Sequence, residues 1–332
     1  VHLLVLPFSM LFLLPLLASL LAPAPAVSQE PQEPDTAPTI KVDVDVVNIL
    51  ASVRNKKGGL VTGLTKDDFI LKEDGKLQTI RYFARESDLP VTMGLLVDVS
   101  RSQENLIEIQ KHAALQFFSQ VLRKGDLAFL ISFGQDVELL QDFTSSQQLL
   151  RAGLERLRVN APVGGLGPGP VPTINNPRGT ALYDAVYLAA EEKLKGQVGR
   201  KVLVLITDGV DQGSRMKLQD ALLAAQQADA IIYSIYYSDP RAYSSFGFGP
   251  TDAELKRMAE ETGGRVFKVD RKHPLSEAFA QIEEEMRSQY AIGYTPTNSR
   301  KDGTYRRIEI KTRDKDLRVR ARRGYYAAKP SG

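Results

Sequence analysis

Cysteine is absent from all 332 residues, which excludes disulfides, thiolate metal sites and cysteine nucleophiles. A fold with this composition must therefore rest on its core or on a bound ion. Histidine is almost absent too. His2 lies in an apolar leader, His112 in a helical stretch and His273 after the last strand of an alternating region, so little imidazole is at hand for acid–base chemistry. A charge excess is also missing: 43 Lys and Arg face 40 Asp and Glu, a formal net charge of +3. Nothing in that total asks for a nucleic-acid or membrane-surface partner. Basic residues do gather between Arg300 and Arg323, but Asp302, Glu309, Asp314 and Asp316 interleave with them, and the stretch reads as solvated strand faces. Apolar material is not lacking. At 43% apolar and 25% charged, the chain can bury one substantial core and a second, smaller one, which makes disorder a poor default.

Residues 1–21 are almost wholly apolar, broken by Pro7 and Pro15, and run into Ala22-Pro23-Ala24-Pro25-Ala26, which offers an A-x-A processing site. The expectation is a signal peptide over 1–26 and a secreted, periplasmic or cell-envelope location. No Lys or Arg precedes the apolar run, and its length approaches the roughly 20 residues that span a bilayer, so an uncleaved membrane anchor is the rival reading. Residues 27–38 carry Pro, Glu and Asp without periodicity and read as a flexible linker.

From Ile40 to Leu50 apolar and polar residues alternate, and Asn55-Lys56-Lys57-Gly58-Gly59 supplies a turn. Phe69 to Phe83 predicts a hairpin folded at Asp74-Gly75. Residues 39–88 thus read as antiparallel β-structure. The grammar changes at Thr92, where a nearly continuous apolar run to Asp98 suits a central strand covered on both faces. Helical spacing follows at Leu106, Ile109, Ala113, Phe117 and Val121, then a strand over Leu127–Phe133. Strand-like runs at 201–207, 230–236 and 264–269 alternate with helix-like stretches at 146–157, 179–194, 214–229, 251–262 and 274–288. This predicts an α/β, doubly wound, mostly parallel sheet with helices on both faces. Beyond Tyr290 strand grammar returns, with Tyr305–Thr312 and Leu317–Ala321 flanking a charged turn. Because β-rich segments bracket the α/β body, 39–88 and 295–328 are expected to form one small β-domain carrying 89–294 as an insertion.

Asp98, Ser100 and Ser102 follow the buried strand directly, at the carboxyl edge where open α/β sheets bind ligands. Thr180 opens a later helix after Gly179, and Thr207-Asp208-Gly209 closes another buried strand, so Thr180 and Asp208 can reach the same rim. The turn alone has a plain alternative, since Ser102 with Asn105 three residues on can cap a helix without any metal. Asp184 and Asp211 read as outer or surface acids. Two long loops stand out. Asn160–Arg178 includes Gly164–Gly169, which lacks the Lys-Ser/Thr ending of a phosphate loop. Arg241–Pro250 carries Tyr243, Phe246 and Phe248, either a ligand-facing patch or a loop tucked on its own domain.

D-x-S-x-S at 98–102, G-T-x-L-x-x-A at 179–185 and T-D-G at 207–209, in this order, resemble the metal-ion-dependent adhesion site of von Willebrand factor A-like domains, over about residues 90–290. Val61–Phe69, Glu73–Gln78 and Arg322-Arg323-Gly324-Tyr325-Tyr326 are similar to exported acidobacterial proteins with a related domain. The resemblance implies that Ser100, Ser102 and Thr180 touch a metal ion directly, while Asp98 and Asp208 act mainly through water and one position stays open. Such hard oxygen donors suit Mg²⁺, with Mn²⁺ or Ca²⁺ as alternatives. The implied partner is a protein presenting an Asp or Glu carboxylate, and the implied role is non-catalytic binding or adhesion. Two other classes compete: a metal-dependent hydrolase and a metal-independent scaffold of an envelope or secretion assembly. For the hydrolase, the family's strand order puts His273 three strand spacings from Ser100, about 14 Å, beyond the reach of a base.

Overall fold

Alternating apolar residues after position 46 form β1 (Val47–Arg54), with Val47, Ile49, Ala51 and Val53 buried on one face. The structure is a computed structural model that describes residues 46–85, 89–159, 179–239 and 251–327. The expected leader and linker, the loops 160–178 and 241–250, and with them Gly164–Gly169, Tyr243, Phe246 and Phe248, lie outside the described residues. β2 (Phe69–Glu73) and β3 (Lys76–Leu77) form the expected hairpin, with Asp74 (φ 49°) and Gly75 (φ 81°) both left-handed as a two-residue turn requires. The hairpin is shorter than the sequence predicts. At Gln78 the chain leaves the sheet, because the Gln78 amide donates to Thr297 Oγ1 (3.0 Å) and accepts from the Thr297 N–H (3.1 Å). It resumes as β4 (Ile80–Arg85) in a different sheet.

β5 (Val91–Asp98) is buried at all eight positions, as its continuous apolar run demands. Next come α1 (Ile107–Val121), β6 (Leu127–Phe133), β7 (Val137–Thr144), α2 (Gln147–Glu155) and α3 (Leu182–Leu188). A π-helical segment, Ala189–Leu194, prolongs α3. The body continues with β8 (Arg200–Thr207), α4 (Leu218–Gln227), β9 (Ala230–Tyr236), α5 (Ala253–Thr262), β10 (Val266–Lys268) and α6 (Leu275–Met286). The strands form one six-stranded sheet in the order β10-β9-β8-β5-β6-β7, parallel except for the edge strand β7. Its two faces carry separate cores, one around Phe117, Phe118 and Phe279 and one around Phe129, Leu182 and Met258.

Two sequence expectations shift here. β7 was not anticipated, because of its apolar residues only Leu140 is buried at this edge position and the alternation is weak. In α1, Ile109 is 52% exposed, and the inward position belongs to Gln110, fully buried and bonded through Nε2 to Gln103 Oε1 at 2.9 Å. A polar residue can hold a core-facing place when its amide donor is satisfied there, although the Gln110 Oε1 is buried with no donor among the described residues.

After α6 the chain forms β11 (Tyr290–Tyr294), β12 (Tyr305–Thr312), β13 (Arg318–Ala321) and β14 (Gly324–Tyr326). With the early strands they make two antiparallel sheets, β13-β1-β11-β4 and β14-β12-β2-β3. The sheets share a core of Ile49, Leu71, Phe69, Tyr290, Ile292 and Ile308, in which the Phe69, Phe83 and Tyr290 rings lie 5.4–5.6 Å apart. Tyr290–Tyr294, on the body side of the sequence boundary, belongs to this sandwich. The insertion has a simple basis: the chain leaves the sandwich at Arg85 and returns at Tyr290, and these two residues are cross-strand partners.

Candidate metal centre

Asp98 and Thr207 end adjacent parallel strands, one residue beyond the paired Val97 and Ile206. The register brings the Thr207 hydroxyl onto Asp98 Oδ2 at 2.6 Å, and the Ser100 N–H donates to Asp98 Oδ1 at 2.9 Å. Asp98 and Asp208 are both fully buried. Burial pushes the Asp98 carboxyl well above its ordinary range, and the Asp208 charge pushes the same way, against the hydrogen bonds from Ser100 and Thr207. Gly209 makes the turn after Asp208 possible. Its φ of 81° is left-handed, and a Cβ there would come 2.9 Å from the Thr251 carbonyl.

The two serines do not act as helix caps. Ser102 lies within a short 3-10 turn (Arg101–Gln103), Ser100 precedes it without a side-chain cap bond, and α1 begins after Leu106, also without one. Instead the Ser102 hydroxyl donates to Asp208 Oδ2 at 2.6 Å, and Ser100 Oγ lies 3.1 Å from Ser102 Oγ. Asn105, the other half of the capping alternative, donates to Asp239 Oδ2 at 2.9 Å. A local cap is thus replaced by contacts that cross more than one hundred residues of chain.

Thr180 reaches this rim through its backbone. The Ala181 N–H donates to the Gly134 carbonyl (2.7 Å), just past β6, and the Gln212 N–H donates to the Thr180 carbonyl (3.1 Å). Among the described residues no hydrogen bond joins the Thr180 side chain to the other four. Asp98, Ser100, Ser102 and Asp208 are therefore in direct or one-step contact, while Thr180 is their neighbour on the same edge.

Asp184 and Asp211 serve the surrounding loop. Asp184 accepts from the Arg215 and Met216 N–H groups, and Asp211 accepts from the Tyr183 N–H and the Ser214 hydroxyl. They tie the start of α3 to the segment after β8. Sequence reasoning passed over two further participants. Thr207 stands inside the quoted T-D-G motif yet supplies the shortest bond to Asp98. Gln103, fully buried, donates through Nε2 to Asp208 Oδ2 and to the Tyr237 carbonyl, both at 3.1 Å. The only signal for Gln103 was another glutamine seven residues on, two helical turns away.

Among the described residues there is no cluster of three or more carboxylate, imidazole or thiolate groups fit for a metal. The rim is a different donor set, two buried carboxylates with three hydroxyls, all hard oxygens of the kind that suits a small divalent ion. As for a nucleophile, the hydroxyl next to Ser100 Oγ is that of Ser102, and His273 Nδ1 lies 3.1 Å from Asp270 Oδ1. His273 follows β10, three places from β5 in the sheet.

Residues 93–210 match the family model for the von Willebrand factor type A domain. The chain carries a von Willebrand factor A domain. Domains of this family serve as protein-interaction or adhesion modules. Similar solved structures include the conserved hypothetical protein BatB from Bacteroides thetaiotaomicron, at 20% identity over 59% of this chain and 97% of that one, TM-score 0.43. A von Willebrand factor type A protein from Catenulispora acidiphila is 13% identical over 86% of this chain and 74% of that one, TM-score 0.45. The SpRpn10 VWA domain is 15% identical over 58% and 95% of the two chains, TM-score 0.40.

Proposed function

We propose that this chain is a non-catalytic, extracytoplasmic binding or adhesion module in which Asp98, Ser100, Ser102, Thr180 and Asp208 hold a divalent cation, Mg²⁺ first, for engaging an Asp or Glu carboxylate of a protein partner. The 2.6 Å bond from Ser102 to Asp208 carries this reading, because it makes one all-oxygen rim of two motifs 106 residues apart. When bound, the ion supplies a concentrated positive charge to which a carboxylate can attach. The protein's own share is electrostatic. The Ser100, Ser102 and Thr180 hydroxyls would offer the ion neutral oxygens that leave its charge uncompensated, while the buried Asp98 carboxyl, pushed upward by burial and by Asp208, accepts from the Ser100 N–H and the Thr207 hydroxyl and so fixes the turn that presents them. In a partly desolvated rim that charge attracts a carboxylate more strongly than it would in water.

The extracytoplasmic setting rests on the apolar leader at 1–26 and the absence of cysteine. The non-catalytic part rests on the distance of an imidazole from Ser100, since His273 follows β10, three places from β5 in the sheet. Titration calorimetry with MgCl₂ on the wild type and Asp98→Ala tests the site: the variant is expected to lose Mg²⁺ binding, and retained binding overturns the assignment. Assays of generic ester and phosphate substrates test the class. Turnover that disappears in Ser100→Ala overturns the non-catalytic reading.

A further inference from the structure

At the opposite edge of the parallel sheet lies a cleft with a volume of about 90 Å³, between the sandwich and the α/β body. Asn48, Leu50 and Arg322 line it from the sandwich side, and Lys201, Asp229 and Ile231 line it from the body. Six residues of strand separate Lys201 from Thr207, about 20 Å, so the cleft shares no residue with the metal rim. Junctions of this kind are where small-ligand sites tend to form.

The lining has an uneven charge. Arg322 donates to Asp229 and, through Nη2, to the Asn48 carbonyl at 2.7 Å, while its Nε–H is buried with no acceptor. Asp229 is thereby committed to Arg322, and it is held in a left-handed conformation at φ 52°. That leaves the half-buried Lys201. Its ammonium donates only to the Gln197 carbonyl, at 3.2 Å, and no carboxylate of the described residues is in ion-pair contact with it. Burial lowers the Lys201 pKa, Asp229 opposes this, and Arg322 adds to it. A half-buried ammonium whose nearby acid is already paired with a second cation is short of counter-charge. Leu50 and Ile231 give the same cleft an apolar wall.

We propose that this cleft binds a small free carboxylic acid, its carboxylate between Lys201 and Arg322 and its short apolar tail against Leu50 and Ile231. The volume limits the ligand to a few heavy atoms. Such a ligand would touch both the sandwich and the body, and so would add to the contacts that join them.

The test is a titration of the full chain with sodium propionate, followed by amide chemical shifts, in EDTA so that the metal rim plays no part. Saturable shifts are expected at residues 48–50, 199–201 and 229–231, with none from propionamide at equal concentration. Lys201→Met should weaken binding at least about tenfold, the loss of one charge-assisted hydrogen bond, while Lys201→Arg should keep it. Asp229→Asn tolerates the left-handed backbone and removes the acid that competes for Arg322, so it should tighten binding. Unsaturable or scattered shifts overturn the proposal. So does unchanged binding in Lys201→Met, or weaker binding in Asp229→Asn with the spectrum otherwise preserved.

Discussion

The α/β body and the β-sandwich divide the chain's charge unequally. Residues 89–289 contain 22 lysines and arginines against 25 aspartates and glutamates, whereas 46–85 and 290–327 together contain 19 against 8. The near-neutral total hides a basic sandwich mounted on a slightly acidic body. Ion pairs across the junction use this difference: Arg54 meets Glu285 at 2.7 Å, Arg322 meets Asp229, and Arg323 meets Glu260. Each pair takes its cation from the sandwich and its acid from the body. Charge in this protein therefore helps dock one half of the fold onto the other, in addition to keeping the surface solvated.

Breaking that junction should have the largest effect. Glu285 is fully buried and also accepts from Ser52 Oγ at 3.3 Å, with the Arg265 Nε 3.7 Å away. Glu285→Gln strands partly buried guanidinium groups and should lower the unfolding free energy by about 3–5 kcal/mol in urea. A change below about 1 kcal/mol would show that apolar contacts alone hold the two regions together. The next effect should fall on the body only. With Mg²⁺ at about 100 times its Kd, the wild type should gain about 2.7 kcal/mol and Asp208→Asn should not. Hydrogen exchange should place the added protection at 98–103 and 207–211; protection spread equally through the sandwich contradicts a local site.

The third effect belongs to the sandwich. Glu73, buried in its core, accepts from Tyr294 at 2.6 Å and Tyr325 at 2.9 Å, so Tyr294→Phe removes one of two donors and should cost about 1–2 kcal/mol in chemical denaturation. The smallest effect concerns Asp302. Bonds from the Thr304 hydroxyl and backbone, then Arg306, hold this exposed carboxyl down to about 2. A carboxyl that ionises more readily folded than unfolded stabilises the protein above its unfolded pKa, and the benefit fades as pH falls through about 2. Melting curves should show wild type slightly above Asp302→Asn near neutral pH and the gap closing between about pH 4 and 2; a gap that widens in acid contradicts the assignment.

The body was far more legible than the sandwich. A strand covered on both faces must be apolar throughout, and β5 announces itself for that reason. Position-dependent chemistry was harder to read. Ile109 fits a helical stripe on paper, but Gln110 takes the inward place because Gln103 satisfies its amide donor. β7, an edge strand, lacks the two-sided burial that makes its neighbours recognisable. In the sandwich the Phe69–Phe83 run looks like one hairpin, since nothing local reveals that Gln78 pairs with Thr297, 219 residues later. The five rim residues were legible as motif letters, while Thr207 and Gln103 needed neighbours that only folding supplies.

The sequence by itself determined the strand–helix alternation, the left-handed turn at Asp74-Gly75 and the placing of Asp98 and Asp208 at strand ends, because periodicity and turn chemistry act over a few residues. Tertiary structure decided the rest. It closed Arg85 against Tyr290, drew Ser102 away from a helix cap onto Asp208, and gathered the basic flanks into one sandwich with an acidic body beneath. These outcomes depend on contacts between segments hundreds of residues apart, whose free energy exists only once the chain is packed.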